Sequence, residues 1–143
     1  MNVNTILNLK GPDVITVSPE ATVLEVTQQL AKHRIGSIVI TKSDDTVAGI
    51  VSERDVVRAI AHLGPDTLNG PVSAIMTEDV ITCSRRDTVD ALMNVMTTQR
   101  FRHLPVVDEG SLIGIISIGD VVQQRIAEAE LEASAMREYI ATG

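Results

Sequence analysis

Aromatic residues are almost absent from this 143-residue chain: Phe101 and Tyr139 are the only two, and there is no tryptophan. A core must therefore be built from Val, Ile, Leu, Met and Ala. The scarcity also argues against a single-strand nucleic-acid binder, which stacks bases on aromatic platforms. Basic residues are few, with 12 Lys and Arg against 19 Asp and Glu and a net charge of −7. Such a chain, without a long basic stripe, suits neither duplex DNA nor an anionic membrane surface. The single cysteine, Cys83, excludes an intrachain disulfide and any multi-cysteine zinc site. No basic start followed by an apolar run marks a signal peptide over Met1–Lys10. No apolar run is long enough to span a bilayer. Apolar residues at 44% and charged residues at 22% still describe a folded protein. The expectation is a soluble, cytoplasmic one.

What the chain does contain is a repeat. Val14-Ile15-Thr16-Val17-Ser18 returns as Val80-Ile81-Thr82-Cys83-Ser84, and Thr22-Val23 as Thr88-Val89, at an offset of 66. Gly49-Ile50-Val51-Ser52-Glu53-Arg54-Asp55-Val56-Val57 returns as Gly114-Ile115-Ile116-Ser117-Ile118-Gly119-Asp120-Val121-Val122, at an offset of 65. The lost residue falls in a polar turn, where Lys42–Thr46 is answered by Asp108–Ser111. Each copy reads as β-α-β-β-α. A short strand (Val14–Val17; Val80–Cys83) leads to a helix starting near Thr22 or Asp87. Its apolar face carries Val23, Val26 and Leu30, or Val89, Leu92, Met93 and Met96. Strands Ser37–Thr41 and Val47–Val51, or His103–Val107 and Leu112–Ile116, form a hairpin, and a last helix starts at Ser52 or Ser117.

The breaker-rich stretch Gly64–Pro71 separates the copies. The expected organisation is a first repeat over 8–65, a linker over 66–75, a second repeat over 76–127 and a helical extension over 128–143. One copy alone is marginal in size, so the two are expected to pack together, share one core and leave two related clefts. In the tail, Val122, Ile126, Ala129, Ala133, Met136 and Ile140 keep heptad spacing. That seam suits a helix lying back on its own domain or one packed on a second subunit.

Catalytic signatures are missing: there is no Walker loop, Gly-x-Gly-x-x-Gly, His-Glu-x-x-His or Gly-x-Ser-x-Gly. Cys83 sits in an apolar strand and reads as a small core residue. The scattered His33, His62 and His103 make no metal site, so neither a catalytic residue nor a metal ligand is assigned. The repeated Ser52-x-x-Asp55 and Ser117-x-x-Asp120 have two readings. Each is a helix capping box. Each is also a helix N-terminus able to hold a phosphate, with a carboxylate placed to accept ribose hydroxyls. In Arg100-Phe101-Arg102-His103, strand alternation puts both arginines on one face and Phe101 and His103 on the other, and guanidinium suits phosphate. The first copy has Arg34-Ile35-Gly36-Ser37 there, so its cleft is empty or takes a different ligand.

These segments, with Ile75-Met76-Thr77 and Arg102-His103-Leu104-Pro105-Val106-Val107-Asp108, resemble a CBS (cystathionine-beta-synthase) domain pair, or Bateman module, over roughly residues 5 to 127. The resemblance implies an α+β fold, two β-α-β-β-α repeats packed as a pseudo-two-fold pair plus a C-terminal helix. It implies a stand-alone homodimer that binds an adenosine-containing ligand and regulates an unidentified protein without catalysing a reaction. AMP is the foremost ligand; ADP, ATP, NAD(H) and S-adenosylmethionine are the others. By the same resemblance Asp55 and Asp120 take ribose, with Ser52 and Ser117 as hydroxyl partners. Thr16 and Thr82 line the adenine pockets, and Gly36, Ser37 and Ile38, or His103, Leu104 and Pro105, supply backbone contacts. Arg54, Arg102 and His103 are the phosphate candidates. No nucleic acid or membrane partner is implied. The alternative function is a protein-interaction module whose Ser-x-x-Asp motifs are only caps.

Overall fold

The computed structural model describes residues 1–11 and 13–142; Pro12, inside the expected first repeat, and Gly143, the end of the expected extension, lie outside the described residues. The chain opens with a helix, α1 (Val3–Lys10). The first repeat then runs β1 (Thr16–Val17), α2 (Val23–His33), β2 (Ser37–Thr41), β3 (Val47–Ser52) and α3 (Glu53–Leu63). β1 lies parallel to β2, and β2 antiparallel to β3. After two 3₁₀ turns, Pro65–Asn69 and Val72–Ala74, come α4 (Val89–Gln99), β4 (His103–Asp108), β5 (Ser111–Ser117) and α5 (Ile118–Thr142). β4 and β5 pair antiparallel, and the second copy's first strand shrinks to one parallel bridge, Cys83 to Val106.

The helices start where side chains can take up free amides. Thr22 caps α2 in a full capping box with Glu25, Thr88 accepts from Ala91 N on α4, and Ser52 and Ser117 open α3 and α5. Helices α2 and α4 end on left-handed arginines, Arg34 at φ 53° and Arg100 at φ 59°. Arg100 is thus a helix cap, and β4 begins only at His103. The expected strand face shared by Arg100 and Arg102 does not form, because the left-handed turn interrupts the alternation.

The two copies pair, but each closes its own core. One cluster holds Val23, Val26, Leu30, Ile38, Ile40, Val51 and Val56 from the first repeat, together with Val72. The other holds Cys83, Val89, Leu92, Met96, Leu104, Val106, Ile116 and Val121, together with Val3 and Ile6 from α1. The segment before each repeat therefore completes the core of the other. The docking is matched bond for bond: Val3 N donates to Asp87 O (2.9 Å) and Val72 N to Ala21 O (2.7 Å). Val89 N donates to Met1 O (3.2 Å) and Val23 N to Gly70 O (3.0 Å). Within residues 66–75, expected as a linker, Leu68, Val72 and Ile75 pack on the first core.

Burial also defines Cys83, whose thiol is pushed up to about 12 by desolvation, with Asp87 adding to the effect. It is a protonated core residue at neutral pH. Beyond Glu128 every described residue of α5 is exposed, including Leu131, Met136 and Ile140. The heptad seam therefore does not lie back on its own domain. No helix among the described residues is long and apolar enough to cross a membrane.

Candidate functional site

At the first strand-to-helix junction, β2 and β3 place Ser37 opposite Ser52. Ser52 N donates to Asp55 Oδ2 (2.9 Å), and Asp55 N donates to Ser52 Oγ (3.2 Å). Glu53 N donates to Gly36 O (3.0 Å). The second junction repeats this. His103 stands opposite Ser117, Ser117 N donates to Asp120 Oδ2 (2.9 Å), Asp120 N to Ser117 Oγ (3.1 Å), and Ile118 N to Arg102 O (2.8 Å). The structure thus brings together Gly36, Ser37, Ser52 and Asp55 in one repeat and Arg102, His103, Ser117 and Asp120 in the other. Both capping boxes are closed.

Ser37 is the outlier. Only 6% of it is exposed, and its hydroxyl has no hydrogen-bond partner. A buried unpaired hydroxyl costs about 1–3 kcal/mol, so it calls for an explanation. His103 holds the equivalent place in the second repeat. Burial lowers its pKa below the ordinary histidine value, and Lys10 and Arg102 add to this against the opposing pull of Asp120 and Glu53. The imidazole is neutral at neutral pH, so it offers phosphate a single donor rather than a charge.

Other expected site residues are placed differently. The side chains of Ile38 and Leu104 are buried in the two cores, which leaves only their backbone to meet a ligand. Pro105 O already accepts from Cys83 N (2.9 Å). Arg54 and Arg102 are exposed and make no ion pair among the described residues. Thr82 is exposed beside Cys83. Thr16, on β1, lines a groove of about 500 Å³ with Thr41, Lys42 and Asp45. A second groove, about 490 Å³, runs between α2 and α3 past Arg34, Gly36 and Glu53. Neither groove is lined by Asp55 or Asp120.

Sequence reading missed Lys10. Its ammonium donates to Asp120 Oδ2 (2.8 Å) and to Ile115 O (2.8 Å). The available signal was the Val3, Ile6, Leu7 spacing, an apolar helical face ahead of the first repeat with a lysine one turn on. Burial opposes ionisation of Asp120, but the hydrogen bond from Lys10, those from Ser117 and the lysine charge outweigh it and hold the carboxyl below its usual range. A carboxyl whose pKa is lowered by folding adds stability above its unfolded pKa and loses it as pH falls through the folded one. The stability gap between the wild type and Asp120→Asn is therefore expected to narrow as the pH falls below about 4. Urea denaturation at stepped pH measures it; a gap unchanged at about pH 3 contradicts the assignment.

Two tandem β-α-β-β-α units, each with a serine–aspartate junction at the start of its last helix, make the fold a duplicated module. The model of the CBS domain matches twice, at residues 8–62 and 72–126, and the chain belongs to that family. It is 46% identical to a CBS-domain-containing protein of Agrobacterium tumefaciens, whose crystal structure matches with a TM-score of 0.83 over 87% of this chain and 99% of that one. A CBS domain protein of Pyrobaculum aerophilum, solved in complex with AMP, is 34% identical, with a TM-score of 0.79 over 93% and 99%. A mitochondrial CBS domain-containing protein of Arabidopsis thaliana is 35% identical over 126 residues, 85% of this chain but 61% of the relative. The chain thus spans less than two thirds of that relative's length.

Proposed function

We propose that this protein is a regulatory sensor of an adenine nucleotide, with AMP foremost and ADP, ATP or NAD(H) as the other candidates. The observation that carries the reading is the serine–aspartate junction built twice, with the partnerless hydroxyl of Ser37 buried beside the first copy. Each aspartate uses Oδ2 on the backbone of its serine, while no protein donor among the described residues reaches Oδ1. A carboxylate offers about four lone-pair positions, so room remains for ribose hydroxyls. The AMP complex of the Pyrobaculum aerophilum relative supports the same ligand class.

Binding acts on a partner by shifting the balance between two arrangements of the repeats or of α5, which requires different ligand affinities in the two. The partner is a separate protein, and the working form is a homodimer. The unpartnered heptad positions of α5 and the homodimeric habit of CBS pairs support a second copy of the chain along that seam.

One observation favours a second reading, a protein-interaction module: both capping boxes are satisfied without a ligand. Thermal unfolding with AMP, ATP, NAD and S-adenosylmethionine separates the two. A ligand at about 100 times its Kd adds about 2.7 kcal/mol to stability, a rise of several degrees in Tm. A rise with AMP that Asp55→Ala and Asp120→Ala together abolish is expected. No rise with any of the four leaves the module reading.

A further inference from the structure

The two junctions differ in what their aspartates already hold. In the first repeat, Asp55 Oδ2 accepts only from Ser52 N, and the neighbouring carbonyl of Ile50 accepts from the backbone N–H of Thr77 (2.9 Å). In the second, the carbonyl at the matching place, Ile115 O, accepts instead from the ammonium of Lys10 (2.8 Å). The same ammonium reaches Asp120 Oδ2 at 2.8 Å, and that oxygen also takes Ser117 N at 2.9 Å. A neutral backbone donor in one copy is replaced by a cation in the other. Both lone pairs of Asp120 Oδ2 are thereby filled.

This matters to a diol. Two vicinal hydroxyls read a carboxylate most fully by giving one hydrogen bond to each oxygen. At Asp55 both oxygens have an open lone pair; at Asp120 only Oδ1 does. Resting on the adenosyl reading above, we propose that Lys10 is a built-in competitor for the ribose at Asp120, which sets the second cleft's affinity below its intrinsic value and makes the first cleft fill first.

Lys10 is placed to let go. It stands on the last turn of α1, 34% exposed at the side chain, whereas the arm is anchored by the buried Val3 and Ile6. Displacing the ammonium leaves those anchors seated. A partly exposed ion pair of this kind lowers the apparent affinity of its competitor by about 1.5- to fivefold.

The test is titration calorimetry with adenosine, which lacks the phosphate and so is not attracted by the lysine charge. Asp55→Asn isolates the second cleft while keeping an acceptor for Ser52 N. In that background Lys10→Met is expected to tighten adenosine binding about threefold, while Lys10→Arg, which retains the pair, keeps the starting affinity. In the Asp120→Asn background Lys10→Met is expected to change nothing. Unaltered or weaker binding in Asp55→Asn/Lys10→Met overturns the competition alone, because the clefts still bind. Absence of binding of both adenosine and AMP to the wild type overturns the adenosyl reading and the competition with it.

Discussion

Substituting Ile6 by alanine is expected to destabilise the protein by about 3 kcal/mol, and to do so in the second repeat rather than the first, which Ile6 precedes in sequence. Ile6 is 2% exposed and Val3 fully buried, both among Leu92, Met96, Leu104 and Ile116. Truncating a buried isoleucine loses its transfer free energy and leaves a cavity. Deleting residues 1–10 removes Val3 and Ile6, each a loss of about 1.5–3 kcal/mol, and with them the partly buried Leu7. That is a large fraction of the roughly 5–15 kcal/mol that holds a domain folded. Hydrogen exchange is the measurement. Amides of β4 and β5 are expected to lose protection in Ile6→Ala while those of β2 and β3 keep theirs. Loss confined to the first repeat contradicts the crossed-arm account.

Gly49→Val is the second large effect, expected at about 3 kcal/mol or more, and clearly greater than the equivalent Gly114→Val. A Cβ on Gly49 would lie 2.6 Å from Met76 Sδ and 2.8 Å from the backbone oxygen of Thr77. On Gly114 it would meet Leu7 Cδ2 at 2.6 Å, the tip of a flexible side chain. Leucine can change rotamer. The Thr77 backbone cannot retreat without breaking its two bonds to Ile50, at 2.9 and 3.0 Å. The glycine is there for close approach of the arm, not for an unusual backbone angle. Urea unfolding of the two variants ranks them; equal losses contradict this explanation.

Much of this architecture was legible in residue order. The duplication located both hairpins, and the Ser-x-x-Asp spacing located the caps of α3 and α5 to the residue. Cys83 in an apolar strand was legible as core for the same reason. The crossed arms were not, because the register slips between the copies: Leu7 stands to Gly114 as Met76 stands to Gly49, which the offset of the strands does not reproduce. Patterning also assigns a segment to its neighbour in sequence, so nothing local told α1 or Val72 to pack elsewhere. Arg100 was misplaced for a different reason. Helix α4 runs up to it and ends in a left-handed turn, a common way for a helix to stop but one that residue types other than Gly and Asn do not signal. The neutral state of His103 and the engagement of Asp120 by Lys10 depend on groups brought together from α1, α3, β4 and α5. Only the folded chain shows them.

If the two serine–aspartate junctions hold an adenine nucleotide, binding depends on both aspartates. Titration calorimetry of AMP into protein freed of carried-over nucleotide tests it most directly, on the wild type and on Asp55→Ala/Asp120→Ala. Saturable heat in the wild type that disappears in a folded double variant is the predicted result. Heat that persists undiminished in the double variant, or no heat with the wild type, contradicts it.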